Sequence, residues 1–348
     1  MRPIYKLNRV ENKLSSILFA NVHFLLYLCG AKVTPMNSLT DLKAYLPTTK
    51  KEVQLRGWDE LDVIIFSGDA YIDHPAFGAA VIGRVLEHAG YKVAIVPQPD
   101  WRGDHRDFTK LGKPRLFFAI TAGSMDSMVN HYTANLRLRS NDAYTPGGKA
   151  GFRPDRTIDT YTKILKELYP HTPVVVGGIE ASLRRLTHYD YWSDKLQRSI
   201  LATSGADLLI YGMGDKVIRD VAKAMRNGFN MKLLRGLRQV GFMADKEYVE
   251  RLYNGKTIVL NSFEECVEDK HKVGKNFCEI EVLSNMMKCE TTLVEPVDDR
   301  FVVITPPYER LTTEELDHSF DLPYERAPHY RYKGKGDIPA WEMIKHSV

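Results

Sequence analysis

From residue 60 onward, short aliphatic runs alternate with stretches of helical periodicity. The runs are DVIIFS (62–67), KVAIVP (92–97), RLFFAIT (115–121), PVVVGG (173–178) and DLLIYG (207–212). Each is rich in Val, Ile, Leu or Phe and bounded by Gly, Pro or Asp. That pattern predicts strands buried on both faces of a parallel sheet. Between them, FGAAVIGRVLEHAG places Ala80, Val81, Val85 and Leu86 on one helical face and stops at Gly90. The stretches 156–169 and 215–228 carry the same periodicity. Strand and helix repeated in this way predict an α/β fold, a doubly wound, mostly parallel Rossmann-like sheet.

The pattern divides the chain. Residues 1–35 form an N-terminal extension, and 36–230 carry the Rossmann-like α/β domain. Residues 231–298 read as a charged helical segment, and 299–348 as one strand followed by an extended connector with little periodicity. Within the first domain, 124–160 is too long for a plain crossover and contains TPGGKAGFRPDR, so it reads as an insertion near the mouth of the sheet.

Composition changes little. The 348 residues are 44% apolar and 26% charged with a net charge of +4, an ordinary globular balance that does not by itself imply nucleic acid or membrane. Residues 14–33 are mostly apolar, but Asn21 and His23 interrupt them and no small-residue cleavage site follows, so no membrane anchor is expected. Cys29, Cys266, Cys278 and Cys289 lack the spacing of a zinc or iron–sulfur ligand set. A reducing cytoplasm and no metal in this chain are the expectations.

Ligands of open α/β sheets lie outside the carboxyl ends of the strands. The residues there are Gly68-Asp69, Gly123-Ser124, Gly177-Gly178 with Glu180, and Gly212 with Gly214-Asp215. Glycines let a backbone approach a ligand closely, although any βα loop uses them. GMGD and GGIEAS are not phosphate-loop fingerprints, and acids at the helix starts oppose a phosphate. In SGDAYIDHP, Asp69, Asp73 and His74 suit three roles: turn and helix capping, ligand contact, or metal binding. Capping is the leading one, with Asp73 ahead of the coming helix. A second constellation joins Asn130, His131, Tyr132 and Arg153 to Arg184, Arg185, Tyr189, Tyr191 and Trp192. Basic and aromatic residues interleaved in this way suit an interdomain interface or an RNA surface.

Long strings of the chain settle on one resemblance. LPTTKKEVQLRGWDELDVIIFSGDAYIDHPAFGAAVIGRVLE, MVNHYTAN, DAYTPGGKAGFRPDR, GGIEASLRRLTHYDYWSDK and IPAWEMIKHSV resemble the N-terminal half of the YgiQ family of radical SAM proteins, over residues 38–348. The resemblance implies a cobalamin-binding-like α/β domain, a connector and a radical SAM barrel. The barrel's CxxxCxxC motif would hold a 4Fe-4S cluster and S-adenosylmethionine. In the family that motif follows the equivalent of IPAWEMIKHSV, with which this sequence closes, so a truncated or split protein is the expectation. The cobalamin pattern D-x-H-x-x-G is unmatched, since Asp73 adjoins His74 and Gly78 lies four residues on. The implied function is an accessory part whose strand-end cleft faces the barrel and helps enclose substrate, without catalysis of its own. The alternative is a non-catalytic RNA- or protein-binding module using loops 130–156 and 180–199. A hydrolase built on Asp69, Asp73 and His74 stands third.

Overall fold

A short run buried on both faces satisfies its backbone by pairing with strands on either side, and the five aliphatic runs do so. The computed structural model describes residues 44–252 and 256–346. They form β1 (Val63–Ser67), β2 (Val93–Pro97), β3 (Phe117–Thr121), β4 (Val174–Gly177) and β5 (Leu208–Ile210). These strands are mutually parallel in the spatial order 2-1-3-4-5. Helices α1 (Gly78–His88), α2 (Thr157–Leu168) and α3 (Asp215–Arg226) fill the crossovers. Side chains alternate along each strand. Val63, Ile65, Val93 and Ile95 pack with α1 and α3, whereas Ile64, Phe66, Ala94 and Val96 pack with α2. The sheet is therefore doubly wound, as its pattern predicts.

The segment 231–298 departs from its helical expectation. Helices Lys246–Leu252, Phe263–Glu268 and Lys270–Ser284 are present, but so are β6 (Val240–Ala244), β7 (Thr257–Val259) and β8 (Thr292–Val297). With β9 (Arg300–Ile304) they extend the sheet to nine strands among the described residues, in the order β7-β8-β9-β6-β5-β4-β3-β1-β2. Strands β6 and β9 join antiparallel. Gly241 breaks the aliphatic signal of β6, Glu295 and Pro296 that of β8, and β7 has only three residues. These strands thus share the sheet of the first domain.

Within the described residues the connector packs back on the domain. Helix α4 (Thr313–Phe320) opens with a reciprocal capping box between Thr312 and Glu315. Ala327–Pro328 then pairs antiparallel with Ile72–Asp73, and Pro339–Ile344 packs on the turn at Pro146–Gly148. Asp73 anchors this strap. Its carbonyl accepts from Arg326 N at 2.8 Å and its Oδ2 from Glu325 N at 2.9 Å. Its carboxylate also holds the Arg84 guanidinium, with Nε at 3.0 Å and Nη2 in close contact, and both side chains are buried. Asp73 therefore does not cap α1. A cap must immediately precede its helix, and here Phe77 occupies that position without a side-chain bond.

His329 lies deeper in the strap. It is buried against the rings of Tyr45, Tyr71 and Tyr330, and its backbone N–H donates to Tyr71 O at 3.0 Å. Burial, against a pull from Glu52, pushes its pKa down to about 4. Among the described residues no helix is long and apolar enough to cross a membrane. Residues 1–35, the apolar stretch 14–33 and Cys29 lie outside them.

Two outcomes follow from the strap. Asp73→Ala leaves Arg84 buried without its main partner and should cost about 3–5 kcal/mol in urea unfolding, with faster proteolysis within 322–332. The depressed His329 gives full stability above its ordinary pKa of 6.5 and loses it as pH falls toward 4. The loss should amount to roughly 2–3 kcal/mol, and His329→Gln should flatten that part of a stability-versus-pH curve.

Candidate functional site

The parallel order reverses between β1 and β3, where this class of sheet ordinarily opens a ligand crevice. Here the chain's own side chains fill it. Asp69, just past β1, accepts from Arg153 Nη2 at 2.5 Å and from Ser124 N at 2.6 Å. Arg153 also donates to Ala122 O at 3.0 Å and to Asp142 Oδ2 at 3.2 Å. All three charged side chains are buried, Arg153 completely. Gly123 makes the approach possible: its φ is +114°, and a Cβ there would collide with the Asp69 carboxylate. Burial pushes the Asp69 carboxyl above the usual range, and Arg153 pulls against it. Arg153 is thus a structural cation and not a surface contact, which corrects the expectation from its loop.

Beside this plug, over the ends of β3, β4 and β5, lies a cavity of about 400 Å³. Gly123, Ser124, Gly177, Gly178, Gly212, Gly214 and Asp215, from the glycine-bearing strand ends, line it. Gly178, at φ +87°, has no room for a Cβ beside Thr121 Oγ1. The Gly212–Gly214 loop is held by Gln239 Nε2, which donates to Tyr211 O at 2.6 Å and Met213 O at 2.7 Å.

Gly68, Asp69, Asp73, His74 and Glu180 do not line the cavity. Glu180 is buried beneath it and accepts from Ser127 N at 2.9 Å and Ile158 N at 3.1 Å, so it bridges two helix starts. His74 is buried, and its Nδ1 accepts from Ala76 N at 3.1 Å. Desolvation, then Arg326, lowers its pKa. An Asp69–Asp73–His74 centre is therefore not assembled, because Asp69 is committed to Arg153 and Asp73 to Arg84.

Sequence reasoning missed the remaining walls. Ala79 and Ile82 come from α1, while Leu316, Ser319 and Phe320 come from α4. Helix α4 is held by Lys216–Glu315 at 2.5 Å and by edge contact of the His88 and His318 rings. The Thr312–Glu315 capping box, followed by Leu316 and Phe320 at helical spacing, was the available signal.

The two basic-aromatic loops do meet. Tyr191 OH donates to Ala134 O at 2.7 Å, and the Tyr132 and Trp192 rings lie 6.3 Å apart. Arg184 and Arg185 are used internally, whereas Arg137, Arg139, Lys149 and Lys195 of the same loops are exposed. Arg184 is buried on Asp126 through contacts of 2.8 and 3.1 Å. Arg185 donates to Ser182 O at 2.5 Å with its guanidinium over Tyr211. His131 Nδ1 and Tyr132 OH share Asp155, at 2.7 and 3.0 Å, and Asn130 is buried. Tyr189 and Tyr191 remain exposed.

The three described cysteines do not form an iron–sulfur ligand set. Cys266 and Cys289 are buried and Cys278 is exposed. Burial pushes the Cys266 thiol up to about 11, away from the thiolate a cluster needs. Among the described residues no three metal-ligating side chains converge.

Residues 45–347 match the family described as Radical SAM N-terminal. A UPF0313 protein of Bacteroides thetaiotaomicron is 58% identical over 319 residues, which cover 89% of this chain and 51% of the relative. One from Porphyromonas gingivalis is 56% identical over 317 residues, covering 89% and 48%. One from Thermotoga neapolitana is 43% identical over 313 residues, covering 87% and 52%. The chain thus spans about half the length of the curated relatives it matches. No solved structure matches it.

Arg153→Met would leave Asp69 and Asp142 buried without a cation. It should cost about 3–5 kcal/mol. The unpaired carboxyls would titrate higher in the folded than in the unfolded chain, so the penalty should be larger at about pH 8 than at about pH 5. Urea unfolding of both proteins at the two pH values tests this.

Proposed function

The chain belongs to the radical SAM N-terminal family, and from that premise we propose that it is the accessory, substrate-enclosing part of a radical SAM iron–sulfur protein. Its strand-end face meets the catalytic barrel, and the polypeptide does not cleave S-adenosylmethionine alone. The observation that carries this reading is the apolar rim of the cavity. Ile179, Met213 and Phe320 are 43%, 58% and 46% exposed around one mouth at the carboxyl ends of the strands. Apolar exposure concentrated at a cavity mouth marks a surface that works when covered.

The cysteines described above supply no cluster site, so no redox step is assigned to them. The chain's own contribution is to wall the chamber, exclude water through α4 and present Ser124 and Asp215 to what is enclosed. Anaerobic reconstitution with iron and sulfide should give this polypeptide no stoichiometric 4Fe-4S absorbance, and no 5′-deoxyadenosine by mass spectrometry. A photo-crosslinking benzoylphenylalanine at Met213 should capture the C-terminal half of the Bacteroides thetaiotaomicron relative. The same probe at exposed Lys163 on α2 should not. Crosslinking from Lys163 alone would overturn the proposed orientation.

A further inference from the structure

The cavity's chemistry is more selective than its position. Its walls are mainly apolar, with Ile82, Ile210 and Ile218 inside and Met213 and Phe320 at the mouth. Among the described residues that line it, none is Lys, Arg or His, and Asp215 is the one ionisable side chain. An anion placed there would find a carboxylate and no cationic side chain, with only the partial charge of a helix start to offset it, in surroundings where an unpaired charge is costly. A volume of about 400 Å³ lies within the range of small-molecule sites.

Two hydrogen-bonding features border this apolar space. Ser124 lines the cavity, and its Oγ is buried without a hydrogen-bond partner among the described residues. Helix α1 also begins at the cavity, where Gly78 and Ala79 line it and Phe77 supplies no side-chain cap. Its first N–H groups are therefore donors without an intrahelical acceptor. A buried hydroxyl and uncapped amides around apolar walls suit a neutral ligand with an acceptor oxygen.

We propose that the strand-end cavity binds a neutral, mainly apolar small molecule through a carbonyl-type oxygen that accepts from Ser124 Oγ, and that it rejects anions. The proposal deepens the substrate-enclosing reading by naming the class of molecule enclosed, and it rests on that reading for its biological meaning. Binding itself can be measured on this chain alone.

The probe is prodan, a neutral naphthalene ketone whose emission shifts to the blue in apolar surroundings. Titrated into the full chain it should show saturable one-site binding with a Kd of about ten micromolar. Roughly 0.5 M sodium chloride should leave that binding unchanged. Dimethylaminonaphthalene sulfonate, which shares the naphthalene ring and dimethylamino group but is anionic, should bind at least about tenfold more weakly. Ser124→Ala should weaken prodan about fivefold, the loss of one hydrogen bond. Ile82→Trp, which fills the cavity, should abolish binding. If that variant fails to fold, Met213→Trp at the exposed rim should weaken prodan at least about fivefold. Non-saturable prodan fluorescence, tighter sulfonate binding or indifference to Ser124→Ala would each overturn the assignment. Loss of prodan binding with the Met213 crosslink intact would remove only the ligand class. A lost crosslink with prodan still bound would instead remove the orientation toward the barrel.

Discussion

A guanidinium removed from water must find carboxylates, and Arg153 finds two. Its clasp on Asp69 and Asp142 fixes the loop after β1, the loop after β3 and the insertion that follows β3. The cost of separating these charges in the interior is what makes the arrangement singular. It also explains why residue 123 has no side chain, since the Asp69 carboxylate occupies the space a Cβ would need. With the reversal point of the sheet plugged in this way, the open space moves to the ends of β3, β4 and β5.

A second buried pair does for the C-terminal segment what Arg153 does for the loops. Asp73 holds Arg84 on α1 while accepting two backbone N–H groups from residues about 250 positions later. The strap is thereby fastened across the mouth of the sheet, and α4 comes to rest against α1 and α3. The cavity is consequently a joint product of the α/β domain and the chain that follows it. Its wetness, shape and access all depend on α4 remaining docked, through Lys216–Glu315 and the His88–His318 contact.

The same economy of charge accounts for the two basic-aromatic loops. Residue types alone suit an interdomain interface or an RNA surface, but Arg153 and Arg184 are buried on aspartates, and Arg185 is turned inward onto Ser182 and Tyr211. The contact of one loop with the other is made instead by Tyr191 on Ala134, by the Tyr132 and Trp192 rings and by Arg156 on Asp190. The acidic residues at the starts of the neighbouring helices divide similarly. Glu180 ties two helix starts together beneath the cavity, while Asp215 stands at its wall.

The sequence by itself determined the five parallel strands, the helices between them, the glycine-bearing strand ends and the family. Each of these is written in residues close together in the chain, where burial imposes a period or a motif keeps its spacing. The added strands β6, β7 and β8 escaped because Gly241, Glu295, Pro296 and a length of three residues dilute that local signal. Only the tertiary structure decided which charges face solvent and which are consumed inside, and that α4 closes a cavity over β3 to β5. Asp69 and Arg153 are 84 positions apart and Asp73 and Glu325 are 252 apart. Coulombic and hydrogen-bond partners chosen over such distances leave no periodicity in the chain, because proximity in the fold selects them.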